Sequence, residues 1–410
     1  MPQTAAATMQ NQASIYKTIW PQEVIEQMMF KRSILLALCE KDTEWDGDLR
    51  KIVVKYAGTN GRSHSYDAAY ANRRASKKKH MSIETADNFS LFAVDHKAVT
   101  LARNKKGAVV KLVEDETKNA IEKLARDTAM KLHGNGGGAL GQIDSTTNVA
   151  TPVLKFRSTK SLRGLDEGDV LEFSTDDGTG GAGTLAVKLE VVGVNYKTRE
   201  ATLNANLNTV PGLTTSSYVF IDGDYGAAIK GLPYYIARTD TIATNVQPWG
   251  MNGAPNLTRL RGYRCGGKGL PADLQIKKLL TQMRDLGEEP THILCGTQKH
   301  DELDTILGTN RRYADVKVGE VGFTGIKFVS TGGETPVLPD PDLDEELIYA
   351  ITADKLVFAS AGEYPDWLTM DGKRMESEEA SNSFMGKIGG YSQFYPLAPG
   401  QHGVLDTTVT

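Results

Sequence analysis

The sequence predicts an α+β protein assembled from units of unlike character. Three patterns carry that expectation: a long helical period over 105–133, a block of short strands over 150–222, and alternating helices and strands from 270 to 359. The 410 residues suffice for about two or three domains. At 40% hydrophobic and 24% charged they can bury a core without disulfides or metals. The 41 glycines argue for turns and hairpins rather than a helical bundle.

The first dozen residues are small and polar and read as a mobile arm, with no basic and apolar leader pattern. A helix is expected from Pro21, with Val24, Ile25, Met28, Met29, Ile34, Leu35 and Leu38 on its apolar stripe. Lys51–Tyr56 then reads as a strand and Gly58–Gly61 as a turn. Residues 62–80 are polar and nearly free of aliphatic side chains, and a second strand region runs from Met81 to Leu101. The expectation is a two-stranded arm with a long basic excursion, an uncommon feature that is usually functional.

The helix over 105–133 keeps Val109, Val113, Ala120, Leu124 and Thr128 on one face and stops at Gly134. Early acids and late Lys131 and His133 suit its dipole. Next come strands over 170–173, 184–192, 201–203 and 218–221, separated by Gly, Asp and Asn turns, which predict a small β-barrel or sandwich insert. Helices over 270–286 and 297–307 then alternate with strands over 291–295, 326–329, 347–351 and 356–359, a pattern for a helix-covered sheet. The tail over 383–397 is strand-like.

The chain offers little chemistry. Gly136-Gly138-Gly141 follows a helix and Gly178-Gly180-Gly183 lies between strands, so neither match to a dinucleotide fingerprint sits before a helix that could bind a pyrophosphate; both read as flexible turns. Gly262–Gly269 approaches a P-loop, but Gly269 stands where the motif needs a hydroxyl for magnesium. Asp340, Asp342 and Asp344 start like a calcium loop that then lacks its glycine and its bidentate glutamate. His292 and Cys295 would point to opposite faces of a strand. Cys39, Cys265 and Cys295 are dispersed and read as reduced thiols. No apolar run approaches the ~20 residues of a membrane span. The expectation is a non-enzyme without cofactor, metal or membrane partner.

What stands out is charge. The net charge of −4 disfavours a dedicated nucleic-acid binder, yet residues 72–80 carry five positive charges, from Arg73, Arg74, Lys77, Lys78 and Lys79. Residues 340–346 carry five carboxylates, from Asp340, Asp342, Asp344, Glu345 and Glu346, and Glu376, Glu378 and Glu379 form another acidic cluster. Two readings stay open: independent solvated faces, or a basic arm that docks on the acidic surface of a neighbouring copy.

The order of these parts resembles the major capsid proteins of tailed bacteriophages. Leu124–Gly136 is similar to the end of that family's spine helix, Gly226–Pro233 to its Gly-Leu-Pro segment, and Pro365–Gly372 with Phe384–Pro396 to its C-terminal strands. The resemblance implies the Hong Kong 97-type fold, with an N-terminal arm (1–44), an extended loop (45–104), a spine helix opening the peripheral domain (105–149), a β-barrel-like insertion (150–225), an axial domain (226–362) and C-terminal peripheral strands (363–410). It also implies hexamers and pentamers closing into an icosahedral virion shell around double-stranded DNA, without sequence-specific binding. Partners would be further copies of itself, a separate scaffolding protein, a portal and a decoration protein, with assembly in the host bacterial cytoplasm. Two other functions are weighed against it: a nucleotide-binding enzyme using Gly262–Gly269, and a ligand-binding module using the β-insert.

Overall fold

A computed structural model describes residues 33–95, 106–236, 238, 257–307, 313–318, 321–330, 333–369, 374–377 and 383–409. The expected helix from Pro21 lies largely outside them; Ile34–Leu38 is a short helix that begins afresh after the extended backbone of Ser33. Ser33 caps that turn, its Oγ accepting the Leu36 N–H at 3.2 Å, while Ile34, Leu35 and Leu36 sink into the main core. The chain then adds Glu40–Asp42 as a parallel strand beside Leu356–Ser360.

The arm is a two-stranded antiparallel sheet, Leu49–Ala57 against Lys77–Glu84. At its base Ile52, Val54, Tyr56, Met81 and Ile83 pack into the main core, so the hairpin is rooted in its own chain. Its far end carries the short helix Tyr66–Ala71 and a bridge between Asn60 and Arg74. The arm is shorter than the 45–104 expected, because Ala86–Asp95 leaves it to pair with Ser383–Pro396 over ten residues. Alternation explains the departure: Phe92 and Val94 face the long helix and join Val113, Ala120, Ile121, Leu124 and Ile388 in a separate core.

That helix is Lys106–Leu132, 27 residues or about 40 Å. Val113, Thr117, Ala120, Ile121, Leu124, Ala125, Thr128, Ala129 and Leu132 are its buried face. Thr128 fastens it to the sheet, its hydroxyl 3.1 Å from both Asn88 Nδ2 and the Tyr364 hydroxyl.

The β-rich insert is a six-stranded sheet in the order Gly141–Gln142, Tyr218–Ile221, Val170–Ser174, Leu189–Asn195, Glu200–Leu203, Val153–Lys155. Leu154, Phe156, Leu171, Phe173, Leu203 and Val219 give it a core of its own. It reaches back to Gly141, earlier than the expected boundary. The strand expected over 184–192 begins only at Leu189, past a glycine-rich loop.

A seven-stranded sheet follows, ordered Tyr263–Gly266, Gly403–Asp406, Leu347–Ile351, His292–Cys295, Gly333–Pro339, Val321–Ser330, Tyr313–Val318. Helices Ala272–Asp285 and Thr297–Leu307 cover it through Ile276, Leu279, Leu280, Met283 and Leu303. Two strands swap the sides given to them by sequence. Gly403–Asp406, fully buried, enters this sheet rather than the one expected to be peripheral, while Leu356–Ser360 joins Ser383–Pro396 in the sheet that also holds Glu40–Asp42 and Ala86–Asp95. Both runs are apolar enough for either sheet, and only the turn at Pro399–Gln401 redirects the chain.

Candidate assembly site

The arm's basic run sits on strand and turn rather than in an unstructured excursion. Lys77, Lys78 and Lys79 open the second strand, so alternation sends Lys78 to the outer face with His80 and Ser82 while Lys79 shares the inner face with Met81. Lys78 stands directly opposite Lys55, and both are exposed. Like charges paired across a hairpin destabilise it unless a further group neutralises them. Among the described residues, Lys51, Lys55, Lys77, Lys78 and Lys79 take part in no ion pair with their own chain. On the same outer face Val53 lies between Lys51 and Lys55 and Leu49 precedes them, both exposed. Toward the tip the Arg73 guanidinium lies 3.7 Å from the centre of the Tyr70 ring, which stacks on Tyr66, 81% exposed. Arg74 is held by its backbone to Asn60 and is exposed.

The acidic residues 340–346 do not form the free surface that their spacing suggested. Asp340 is 0% exposed and meets His133 Nε2 at 3.0 Å. Asp342 binds Arg163 of the insert at 2.9 Å, and its side chain is 4% exposed. Glu345 lies 3.6 Å from Lys160 and accepts the backbone N–H groups of Gln298 and Lys299 at the start of a helix. Glu346 takes Arg238 at 2.5 Å, and the same guanidinium holds Asp406. Asp344 accepts the Leu347 N–H through its backbone carbonyl. The carboxylates of Asp340, Asp342, Glu345 and Glu346 thus serve internal partners, because their own chain brings the cations to them. Glu378 and Glu379 lie outside the described residues; Glu376 pairs with Lys387 at 2.7 Å.

A different surface is open. Ala86–Asp95 turns Asp87, Phe89, Leu91, Ala93 and Asp95 away from the long helix. Phe89 packs edge-on against Tyr391 at 5.8 Å, and Phe89, Leu91 and Tyr391 are all exposed. This face is apolar between two aspartates. Its signal was the Phe89–Val94 alternation, which marks one buried and one outward face without saying what the outward face meets.

The remaining motifs resolve into structure. The two glycine-rich runs are not free turns, since Gly137 and Gly178 press backbone against backbone. Residues 263–266 of the P-loop-like segment form an edge strand, and Gly267 N–H is spent on the Asp406 carbonyl and Lys268 N–H on that of Val409. Those two amides are therefore engaged within the chain and do not point into a phosphate cradle. No cluster of three or more metal-ligating side chains exists among the described residues. Cys39, Cys265 and Cys295 are free thiols, and burial pushes Cys265 up to about 11 and Cys295 up to about 12. No helix among the described residues is long and apolar enough to cross a membrane.

No protein-family model matches the chain, and no curated protein matches it. Among solved structures, a chain of the cyanophage A-1(L) capsid asymmetric unit superposes with a TM-score of 0.53 at 14% identity, covering 92% of each chain. The chain has the Hong Kong 97-type capsid fold. The satellite phage P4 procapsid (TM-score 0.40, 11% identity, covering 99% of this chain and 98% of that one) and a native GTA particle capsid (0.43, 9%, 92% and 90%) also align. In the parts that the resemblance implies, the hairpin 49–84 would be the extended loop, Lys106–Leu132 the spine helix, the sheet built on Ser383–Pro396 the peripheral one and the seven-stranded sheet the axial one.

Proposed function

We propose that this chain is a major capsid protein whose activity is self-association into hexamers and pentamers, closing as an icosahedral virion shell around double-stranded DNA. The observation that carries the reading, beside the capsid fold, is the arm. It is rooted in its own core yet presents exposed aromatics, lysines that make no ion pair among the described residues, and the like-charge pair Lys55–Lys78. Such a device gains order by docking on another copy.

The acceptor we favour is the outward peripheral sheet face of a neighbouring copy. Phe89, Leu91 and Tyr391 match Leu49 and Val53, and Asp87 matches the lysines Lys51, Lys55 and Lys78. This replaces the acidic loop 340–346 as the arm's partner. Many such contacts, each weak, sum to a stable closed lattice when every subunit repeats them. The slight negative charge suits a wall that confines DNA rather than grips it. A separate scaffolding protein, a portal and a decoration protein complete the proposal, with assembly in the host bacterial cytoplasm.

Expression of the full chain with and without the neighbouring genes, followed by electron microscopy, tests it. Closed shells or curved capsomer sheets are expected; a solution of monomers under every combination would defeat the proposal.

A further inference from the structure

The acidic loop 340–346 joins the insert, which has a core of its own, to the spine helix and the axial sheet, whose Leu132, Leu294, Leu338 and Tyr349 share the main core. Leu343 and Leu347 root it in the main core, and the Asp340 N–H is tied to the Cys295 carbonyl of the axial sheet at 2.8 Å. Asp340 reaches His133 at the end of the spine helix. Asp342 and Glu345 reach Arg163 and Lys160, both in the 3-10 turn Thr159–Gly164 of the insert. Arg163 also donates to the Pro341 carbonyl at 2.5 Å. The insert's apolar core includes no residue of the axial core, so charge rather than hydrophobic burial fastens the two here.

At the centre of this junction is a histidine. Its side chain is 4% exposed and Asp340's 1%. Its Nδ1 has no partner among the described residues, which leaves Asp340 as the one hydrogen-bonded anchor of the ring. The charged groups facing it are Asp340 and Asp342 from the loop and Lys160 from the insert, with Glu345 and Asp344 beyond Lys160 and the neutral Cys295 thiol nearby.

We propose that the His133–Asp340 pair is a proton-dependent latch that holds spine helix, axial loop and insert in one fixed arrangement. With the imidazole protonated, Asp340 is a paired buried anion. When the proton leaves to solvent, Asp340 stays ionised in a site where its hydrogen-bonded cation is gone, an expensive state that loosening of the loop relieves. The loop carries Asp342 and Glu345 with it, so the grip on Arg163 and Lys160 weakens as well.

The direction of the pH response follows. Burial alone would lower the His133 pKa, but attraction and hydrogen bonding from Asp340, with Asp342 behind it, outweigh burial and the opposing Lys160 and raise it above its ordinary 6.5. Stabilisation is therefore complete below 6.5 and fades as pH climbs through the raised value. Asp340, held below its ordinary 3.8 despite burial, keeps its charge until well into acid. The latch is closed at mildly acid pH and opens on the alkaline side.

Hydrogen–deuterium exchange on the full chain from about pH 6 to about pH 9, corrected for intrinsic exchange, tests this directly. Protection of segments 130–134, 159–165 and 339–347 should fall by about tenfold across that range while strand Val170–Ser174 in the insert core holds steady. In His133→Gln, whose side-chain amide donates to Asp340 without titrating, the fall should vanish. Flat protection in the wild-type chain would overturn the latch, and so would an equal fall in both proteins.

Discussion

Gly137→Ala is the sharpest test of how the spine helix meets the insert. A Cβ at Gly137 would lie 2.0 Å from the Asp177 carbonyl oxygen and 3.0 Å from its carbon. Both obstacles are backbone, so no side chain can swing away. Relief requires the 134–138 and 176–178 segments to part by about 1 Å, an overpacking cost of about 1–3 kcal/mol. Parting them also strains the Gly226 N–H to Gly137 carbonyl bond (2.9 Å) and the Asn135 Nδ2 to Asp177 bond (2.6 Å), each worth about 1 kcal/mol. The expected loss is about 2–4 kcal/mol, or about 30- to 1,000-fold in the opening equilibrium of the junction. Thermolysin cleavage between residues 134 and 190 under native conditions reads that equilibrium, because cleavage follows the open population. Gly193→Ala is the control, as nothing lies within 4 Å of its added carbon and its backbone is not left-handed. Equal cleavage rates in the two variants would refute the argument that close backbone approach is what these glycines serve.

Further expectations follow from the same geometry. Replacing Lys77, Lys78 and Lys79 with Glu should leave the monomer folded but lower particle yield or its tolerance of salt, measured by sedimentation; unchanged yield and salt response would remove these lysines from assembly. Phe173→Ala, in the fully buried insert core, should cost about 3–5 kcal/mol and melt the insert before the rest, seen as a separate early transition in calorimetry. His402 is wholly buried, its Nδ1 accepting the Thr352 N–H, and burial depresses it to about 3 despite Asp354. The unfolded chain takes up a proton near 6.5 that the folded one refuses, so stability should decline from about pH 6.5 towards pH 3. A urea midpoint that stays level over that range would contradict it. The acid-side slope of His402 and the alkaline-side slope of His133 have opposite signs and separate causes.

Much of the architecture was legible in residue order. The expected helix over 105–133 is Lys106–Leu132, and the strands at 218–221 and 347–351 and the helix 297–307 stand where periodicity placed them. The helices keep a 3.6-residue apolar period, and the two strands are apolar runs bounded by polar turns, which fixes where each element lies but not what it pairs with. Strand pairing was less legible. Gly403–Asp406 and Leu356–Ser360 are short apolar runs that fit any sheet interior, and only the path of the whole chain decides between them. Charge misled most: five carboxylates in seven residues look like a solvated surface, yet Arg163, Lys160, Arg238 and His133 arrive from distant parts of the sequence to bind them. The glycine runs looked free for the same reason, since the backbone that crowds Gly137 is some 40 residues away.

An arm that completes itself on a second copy must be seen to do so in the assembled particle. Cryo-electron microscopy of assembled particles measures this directly, by tracing the hairpin 49–84 in density. Hairpins lying across the Phe89, Leu91 and Tyr391 face of the adjacent subunit, with Lys51, Lys55 and Lys78 near its Asp87, are the expected result. Hairpins folded onto their own subunit, in particles that hold together without them, would contradict it.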